Sequence, residues 1–297
     1  MIAKNYSAGR RKMVFLLFVL PALLLYIVYF LFPAGVSVFY SITDTKGVGS
    51  FNIIGINNYI NLFTKDPHFW KTFRNTLIMG TLNIVITIPV AFILAQIVNK
   101  EFKGATILKS IYFSPQLIAT VTAALIWLFI LDPTTGILNT VLRNVGLDSL
   151  ALQWVGGTEL TPYSAGIIGT WQSAGYYMCI FLAGMKAIPK DLYESATIDG
   201  ATKLQEVFKI TIPMLFQTFK TVLIFVVTGA LRSFDLVYTM TRGGPIHASD
   251  TMISYMYMMC FKNRRYGFGM SIVTFVFVLS LALSLLLMRL MSKDNTD

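Results

Sequence analysis

Two short stretches hold the residue types that could do chemistry. The first, Trp171-Gln172-Ser173-Ala174-Gly175-Tyr176-Tyr177, sets an amide and a hydroxyl among aromatic rings, inside a charge-free run from Leu160 to Met185. Gln and Ser can bond hydroxyl groups while Trp and Tyr cover apolar ring faces, a combination suited to a polyhydroxylated solute such as a sugar. The same stretch suits helix packing, with Ser173, Ala174 and Gly175 as small interface residues. Both readings stand on the sequence alone. Thr228, with Thr120 or Thr122, could extend a polar path.

The second stretch, Glu194 to Leu215, carries charge in a chain that otherwise avoids it. Pro189 suits a first helical position and Asp191 the first turn, where a negative charge favours the helix dipole. The helix so predicted is about 13 Å long at 1.5 Å per residue, too short to cross a membrane. Leu192 and Ala196 share one face at i, i+4 spacing, and Glu194 points elsewhere with a free carboxylate. Asp199-Gly200 reads as a turn, after which a second short helix runs through Leu204, Val207 and Phe208 towards Pro213. Such a segment is either a solvated connector or a knob that docks into a partner.

The elements that must position these stretches follow from composition. Of 297 residues, 55% are hydrophobic and 13% charged, and the mean hydropathy is +0.66, whereas a soluble domain carries about 25% charge. Six stretches approach the ~20 apolar residues needed to cross the hydrocarbon core: 13–40, 75–98, 110–131, 163–186, 210–231 and 266–288. Pro21, Pro89 and Pro115 lie within them and predict kinks. The fold class expected is therefore an all-α integral membrane protein, one unit over residues 1–297, with six transmembrane helices. Lys and Arg are denser in the segments holding Lys4, Arg10, Arg11, Lys12, Lys100, Lys103, Lys109, Lys186, Lys190, Lys203, Lys209, Arg289 and Lys293, which places both termini in the cytoplasm. Segment 189–213 then lies on the cytoplasmic side, between the fourth and fifth spans. The net charge of +10 belongs to these loops and suggests no nucleic acid.

Several chemistries are excluded by what is missing. No glycine precedes a lysine, so the chain has no phosphate-binding G-x-x-x-x-G-K-[ST] loop. All 14 acidic residues fall outside the six spans, with Asp235 nearest an edge, which disfavours a proton or sodium relay. The only histidines, His68 and His247, fall in outer loops and offer no intramembrane Ser-His pair. Cys179 and Cys260 have no metal-ligand spacing, so no metal is expected. Lys220, the one charge inside a span, either snorkels to the inner headgroups or lines a path. Trp70, Trp127 and Trp154 read as interfacial anchors, and Ser249–Phe261 as a helix at the outer membrane surface or a contact for an external protein. The Gly243-Gly244-Pro245 turn reads as an outer-surface loop.

Glu194-Ser195-Ala196, three residues, Gly200, nine residues, Ile210-Thr211-Ile212-Pro213 resembles the EAA loop of ABC-importer permeases, with Ser195 and Ile212 as mild departures and Gln217 where many relatives carry a second proline. Gly55-Ile56-Asn57-Asn58-Tyr59, Asn75-Thr76, Gly136-Ile137-Leu138-Asn139, Thr241-Arg242-Gly243-Gly244-Pro245, Tyr257 and Phe261 look like the carbohydrate-uptake branch, in the form of maltose and glycerol-3-phosphate importer permeases. The resemblance implies a coupling helix seated in an ATPase, with Glu194, Ser195, Ala196, Asp199, Gly200, Ala201 and Phe208 at the contact. It implies a second homologous permease, an ABC ATPase dimer that binds the ATP and magnesium, and an extracytoplasmic solute-binding protein. This chain would hold no cofactor and no catalytic site. Trp171, Gln172, Ser173, Tyr176, Tyr177 and Thr228 are the expected pathway residues for a sugar or oligosaccharide, with glycerol-3-phosphate, another polar solute, or a channel function as alternatives.

Overall fold

The computed structural model describes residues 8–100, 102–245 and 247–290; Lys4, Glu101, Lys293, Asp294 and Asp297 lie outside them. Among the described residues the chain is helical, with one isolated bridge between Thr43 and Ile53 in place of a strand. Helix α1 (Ala8–Tyr26) passes through a π turn, Ile27–Leu31, into α2 (Phe32–Ser41). After the short α3 (Asn57–Thr64), α4 (Phe69–Leu82) passes through a second π turn, Asn83–Thr87, into α5 (Ile88–Asn99). A third π turn, Val207–Thr211, leads towards Pro213. Each of the three ends just before a proline: Pro33, Pro89 or Pro213. Proline lacks an N–H and its ring crowds the carbonyl four residues back. One wider turn accommodates both, and the helical course carries on past each proline.

The third span is the exception. In place of one helix over 110–131 there are two, α6 (Ala105–Leu117) and α7 (Thr120–Ile130), which meet at 96°. Ile118 and Ala119 take extended backbone conformations between them, and Pro115 precedes the break. Helix α8 (Ile137–Asn144) follows, then α9 (Thr161–Lys186), α10 (Lys190–Ile198), α11 (Lys203–Glu206) and α12 (Ile212–Met214). The fifth apolar stretch runs over Phe216–Thr241, longer than the expected 210–231, as α13 (Phe216–Leu231) and α14 (Asp235–Thr241). Asp235 stands exposed in the first turn of α14. The chain closes with α15 (Met252–Tyr257), a π turn Met258–Lys262, and α16 (Tyr266–Leu290).

Among the described residues four stretches are long and apolar enough to cross a membrane: Phe15–Ser41, Phe69–Asn99, Phe216–Thr241 and Tyr266–Leu290, or up to five if the bent pair α6–α7 is one span. Helix α9 has the length, at 26 residues, but not the hydropathy, because it is packed on many sides by protein. It touches α4, α5, α6 and α13. Its glycines mark three of those approaches: a methyl added at Gly166 would press on Leu82, at Gly184 on Thr218 and Leu215, and at Gly175 would overlap the Tyr112 carbonyl oxygen of α6. Without aqueous hydrophobic drive inside a membrane, such close backbone packing is what holds helices together. Phe181 and Met178 of α9 anchor the core against Ala91 and Ala95 of α5 and Val222 of α13.

A second core lies at the other end of the bundle, where Leu62, Phe69, Met252, Tyr255, Phe268 and Ile272 are buried together. This corrects the reading of Ser249–Phe261 as a surface helix. Met252, Tyr255 and Met259 face the protein interior, packed on α16 and α4.

Candidate functional site

A cavity of about 180 Å³ lies between α4, α9, α13 and the π turn that follows α4. Of the expected pathway residues, Gln172, Ser173 and Tyr177 line it, as does Thr120. Gln172 Nε2 donates to the Ile118 carbonyl at 2.9 Å, satisfying the backbone oxygen bared by the break between α6 and α7. Ser173 Oγ donates to Gly169 O of its own helix at 2.7 Å. The packing reading is also realised, on the adjacent residues: Ala174 and Gly175 are buried against neighbouring helices.

Trp171, Tyr176 and Thr228 do not line this cavity. Helical geometry turns residues one apart by about 100°, so a contiguous stretch cannot face one way. The Trp171 ring meets Trp127 edge-on at 5.5 Å, Tyr176 packs beside Tyr177 at 5.3 Å, and the Thr228 hydroxyl bonds to Ile224 O at 2.7 Å within α13. The residues missed are Asn83, Thr87 and Ser233, which line the cavity, and Thr170 beside it. Thr87 and Thr170 hydroxyls lie 2.8 Å apart, and Thr170 Oγ1 donates to Asn83 Oδ1 at 3.3 Å. The signal was present: Asn83 and Thr87 are polar at i, i+4 within an apolar span, which places them on one face. Lys220 belongs to neither the cavity nor open solvent. It is buried, its ammonium 4.6 Å from the centre of the Phe216 ring one turn towards the start of α13.

The charged stretch folds much as its punctuation predicts. Helix α10 begins at Lys190, with Pro189 just before it, and none of its residues is buried. Gly200 has φ +74°, a left-handed conformation that glycine adopts without strain. Its N–H and that of Ala201 bond back to Thr197 O and Ala196 O, ending the helix in a tight C-terminal cap. Thr202 and Gln205 then cap α11 reciprocally. The inward face of α10 is Tyr193 and Ala196 rather than Leu192 and Ala196; Leu192 is exposed. The Tyr193 hydroxyl meets Thr211 Oγ1 at 3.0 Å, tying α10 to the π turn Val207–Thr211. On the other side Glu194 is exposed, as are Ile198, Leu204 and Phe208, at 86%, 70% and 64%. Three large apolar side chains and the carboxylates of Asp191, Glu194 and Asp199 are thus exposed along one short segment.

The remaining motifs act as staples. Buried Asn58 donates to Ser41 O and Thr43 O, Asn75 to Ala248 O and Asp250 O, and Asn139 to Pro133 O and Leu152 O. Trp154 Nε1 donates to Asn139 Oδ1 at 2.7 Å and so tethers its loop to α8. The Trp127 indole N–H is buried without a hydrogen-bond partner among the described residues. The Gly243-Gly244-Pro245 loop closes over Asp250, whose carboxylate is fully buried and bonded to Ser254 Oγ and His247 Nδ1.

Residues 69–295 match the family model described as binding-protein-dependent transport system inner membrane component. The chain is 31% identical over 284 residues to the probable ABC transporter permease protein YurN of Bacillus subtilis, covering 95% of this chain and 97% of that protein. It is 28% identical to the diacetylchitobiose uptake system permease protein NgcF of Streptomyces coelicolor, covering 90% and 80%. In fold it is similar to a chain of a bacterial ABC transporter involved in the import of the acidic polysaccharide alginate, with a TM-score of 0.83 at 23% identity, covering 97% and 98%.

Proposed function

The chain belongs to the binding-protein-dependent transport system inner membrane components, and from that premise we propose how its parts work as a permease subunit of a sugar importer. Six spans are read as crossing the membrane, counting α9 and the bent α6–α7 pair, with both termini inside. The α10–Gly200–α11 segment is the coupling helix and its turn. A cytoplasmic ATPase, which binds ATP and magnesium, receives Glu194, Ser195, Ala196, Asp199, Gly200, Ala201 and Phe208. The observation that carries this reading is the segment's two-sidedness: Tyr193 fastens it to the π turn ahead of Pro213, while Glu194, Ile198, Leu204 and Phe208 are left exposed along it. Exposed apolar and charged groups on one short segment fit a partner's cleft. Motion of that partner would reach α13 through one short lever, and the spans would rock around the central cavity in alternating access.

Gln172, Ser173, Tyr177, Asn83 and Thr87 are the solute-facing groups. The cavity of about 180 Å³ is below the ~300 Å³ at which small-molecule sites begin. A second permease packed on the same side would supply the rest of the path, and an extracytoplasmic binding protein would deliver the solute. The diacetylchitobiose relative favours a sugar or short oligosaccharide; glycerol-3-phosphate is the competing solute.

The test is the assembled importer in proteoliposomes, with ATP hydrolysis and solute uptake measured separately. Gly200→Pro cannot hold the φ of +74°, because proline is fixed near −65°. Uptake is expected to fall at least tenfold with the spans still inserted. Uptake at the normal rate would remove the coupling role from this segment.

A further inference from the structure

The helical glycines of this chain are of two kinds. Gly166, Gly175 and Gly184 of α9 each make way for a neighbouring helix, whereas a methyl added at Gly229 of α13 would meet nothing within 4 Å beyond its own helix backbone. Glycine weakens a helix interior relative to alanine, so a position with room for a side chain and none in place calls for another reason. Its surroundings supply one. Gly229 lines the central cavity together with Val226, Ala230 and Ser233, which share one face of α13 at i, i+3, i+4 and i+7 spacing. The space a side chain would take there is cavity space.

A second, independent observation points into the same space. Tyr177 of α9 lines the cavity and is only 9% exposed, yet its hydroxyl has no hydrogen-bond partner among the described residues. A buried phenol ordinarily finds one. Three more lining groups hold unused capacity. Gln172 gives its amide N–H to Ile118 and keeps its oxygen, Asn83 accepts through Oδ1 and keeps its amide nitrogen, and the Ser233 hydroxyl bonds to none of the described residues. That leaves a phenol and an amide to donate, an amide oxygen to accept, and a hydroxyl to do either. Sugar hydroxyls both donate and accept and so answer this mixture, while a phosphate or carboxylate only accepts. Among the described residues no Lys, Arg, His, Asp or Glu lines the cavity to neutralise a charge. We propose that this cavity seats one uncharged sugar ring, with Tyr177, Asn83, Gln172 and Ser233 on its hydroxyls, and that Gly229 is bare to make room for it. The inference rests on the sugar-permease reading above and adds to it the charge class of the solute and the residue that sets the room.

The experiment uses the assembled importer in proteoliposomes, offered glucose, N-acetylglucosamine, maltose, diacetylchitobiose, glucuronate and glycerol-3-phosphate in turn, with ATP-dependent accumulation measured for each. An uncharged sugar is expected to accumulate and glucuronate to be excluded. Gly229→Ala adds helix propensity and meets no neighbour, so Tm should hold or rise while uptake falls on the order of tenfold, and further in Gly229→Leu. Tyr177→Phe removes a hydroxyl that bonds to none of the described residues, so Tm should hold while uptake falls about fivefold. Gly35→Ala, at the other helical glycine with nothing near it, should leave uptake unchanged. Normal uptake in Gly229→Leu or in Tyr177→Phe overturns the seat. Loss of the second permease from Gly229→Ala complexes would assign the glycine to a helix contact instead. Glucuronate accumulating as fast as the best sugar would overturn the charge class alone. Accumulation of glycerol-3-phosphate only, or of no solute, overturns the sugar-permease reading on which the inference stands.

Discussion

The first apolar stretch and α9 are opposites. Phe15–Ser41 has a mean hydropathy of 2.7, and none of its most apolar window is buried in the chain; α9 is too polar to pass as a span on hydropathy, yet more than half of its residues are buried. In water the apolar helix would be the core. Here hydropathy reports how much of a helix faces lipid, while small and polar residues report how much faces protein, because packing and hydrogen bonds replace the hydrophobic effect as the force between helices. The helix that looks least like a span is therefore the one on which the bundle is built.

The contrast is broken or sharpened most strongly by paired glycine changes. Gly175→Leu drives side-chain atoms into the Tyr112 carbonyl, and its first carbon already overlaps there. Forced separation of α6 and α9 is expected to cost about 3 kcal/mol or more, read as loss of assembled protein and a fall in Tm. Next, Gln172→Leu removes the donor to Ile118 O and leaves a bare carbonyl away from water, expected to destabilise by about 1–3 kcal/mol and to slow uptake while the coupling segment stays seated. Thr170→Val loses its bonds to Thr87 and Asn83; a loss near 1 kcal/mol, in the range of interhelical hydrogen bonds inside membranes, is the expected result in a denaturant titration. At the low end, a methyl added at Gly35 meets nothing within 4 Å, so Gly35→Ala in the first stretch should leave Tm within about 0.5 kcal/mol equivalent. A Gly35→Ala effect comparable to that of Gly175→Leu would show that the first stretch is core after all.

How far the sequence could be read follows the same line. The charged stretch was legible in detail, because Pro189, Asp199-Gly200 and Pro213 are local punctuation and the observed α10, left-handed Gly200 and π turn obey it. The apolar stretches were legible in part: Phe15–Ser41, Phe69–Asn99, Phe216–Thr241 and Tyr266–Leu290 answer to four of the six expected spans, and the bent α6–α7 pair to a fifth if it is one span. Nothing in the run from Ser110 to Leu131 distinguishes a kink at Pro115 from the 96° break seen, where Gln172 of another helix donates to the bared Ile118 carbonyl. The cavity was half legible. Residue type alone points to Gln172, Ser173 and Tyr177, whereas the helical turn of about 100° per residue carries Trp171 and Tyr176 of the same motif away from the cavity. Asn83 and Thr87 are masked in the sequence by the apolar residues that surround them. The asparagines of the recurring motifs, Asn58, Asn75 and Asn139, gave no hint of their common task, since each ties together backbone far from it in sequence.

The break between α6 and α7 also bears on what crosses the membrane when nothing is being carried. A bundle with bare backbone at mid-depth draws in water, and across an energised membrane each unit charge that follows such water gains about 2.3 kcal/mol per 100 mV. The amide of Gln172, seated on the Ile118 carbonyl, satisfies that oxygen without water. A transporter that runs on nucleotide rather than on ion gradients draws benefit from such a seal, since any resting leak would drain the gradients its host cell maintains for other purposes. Gln172→Leu proteoliposomes holding a potassium diffusion potential should accordingly discharge faster than wild type, with no solute present.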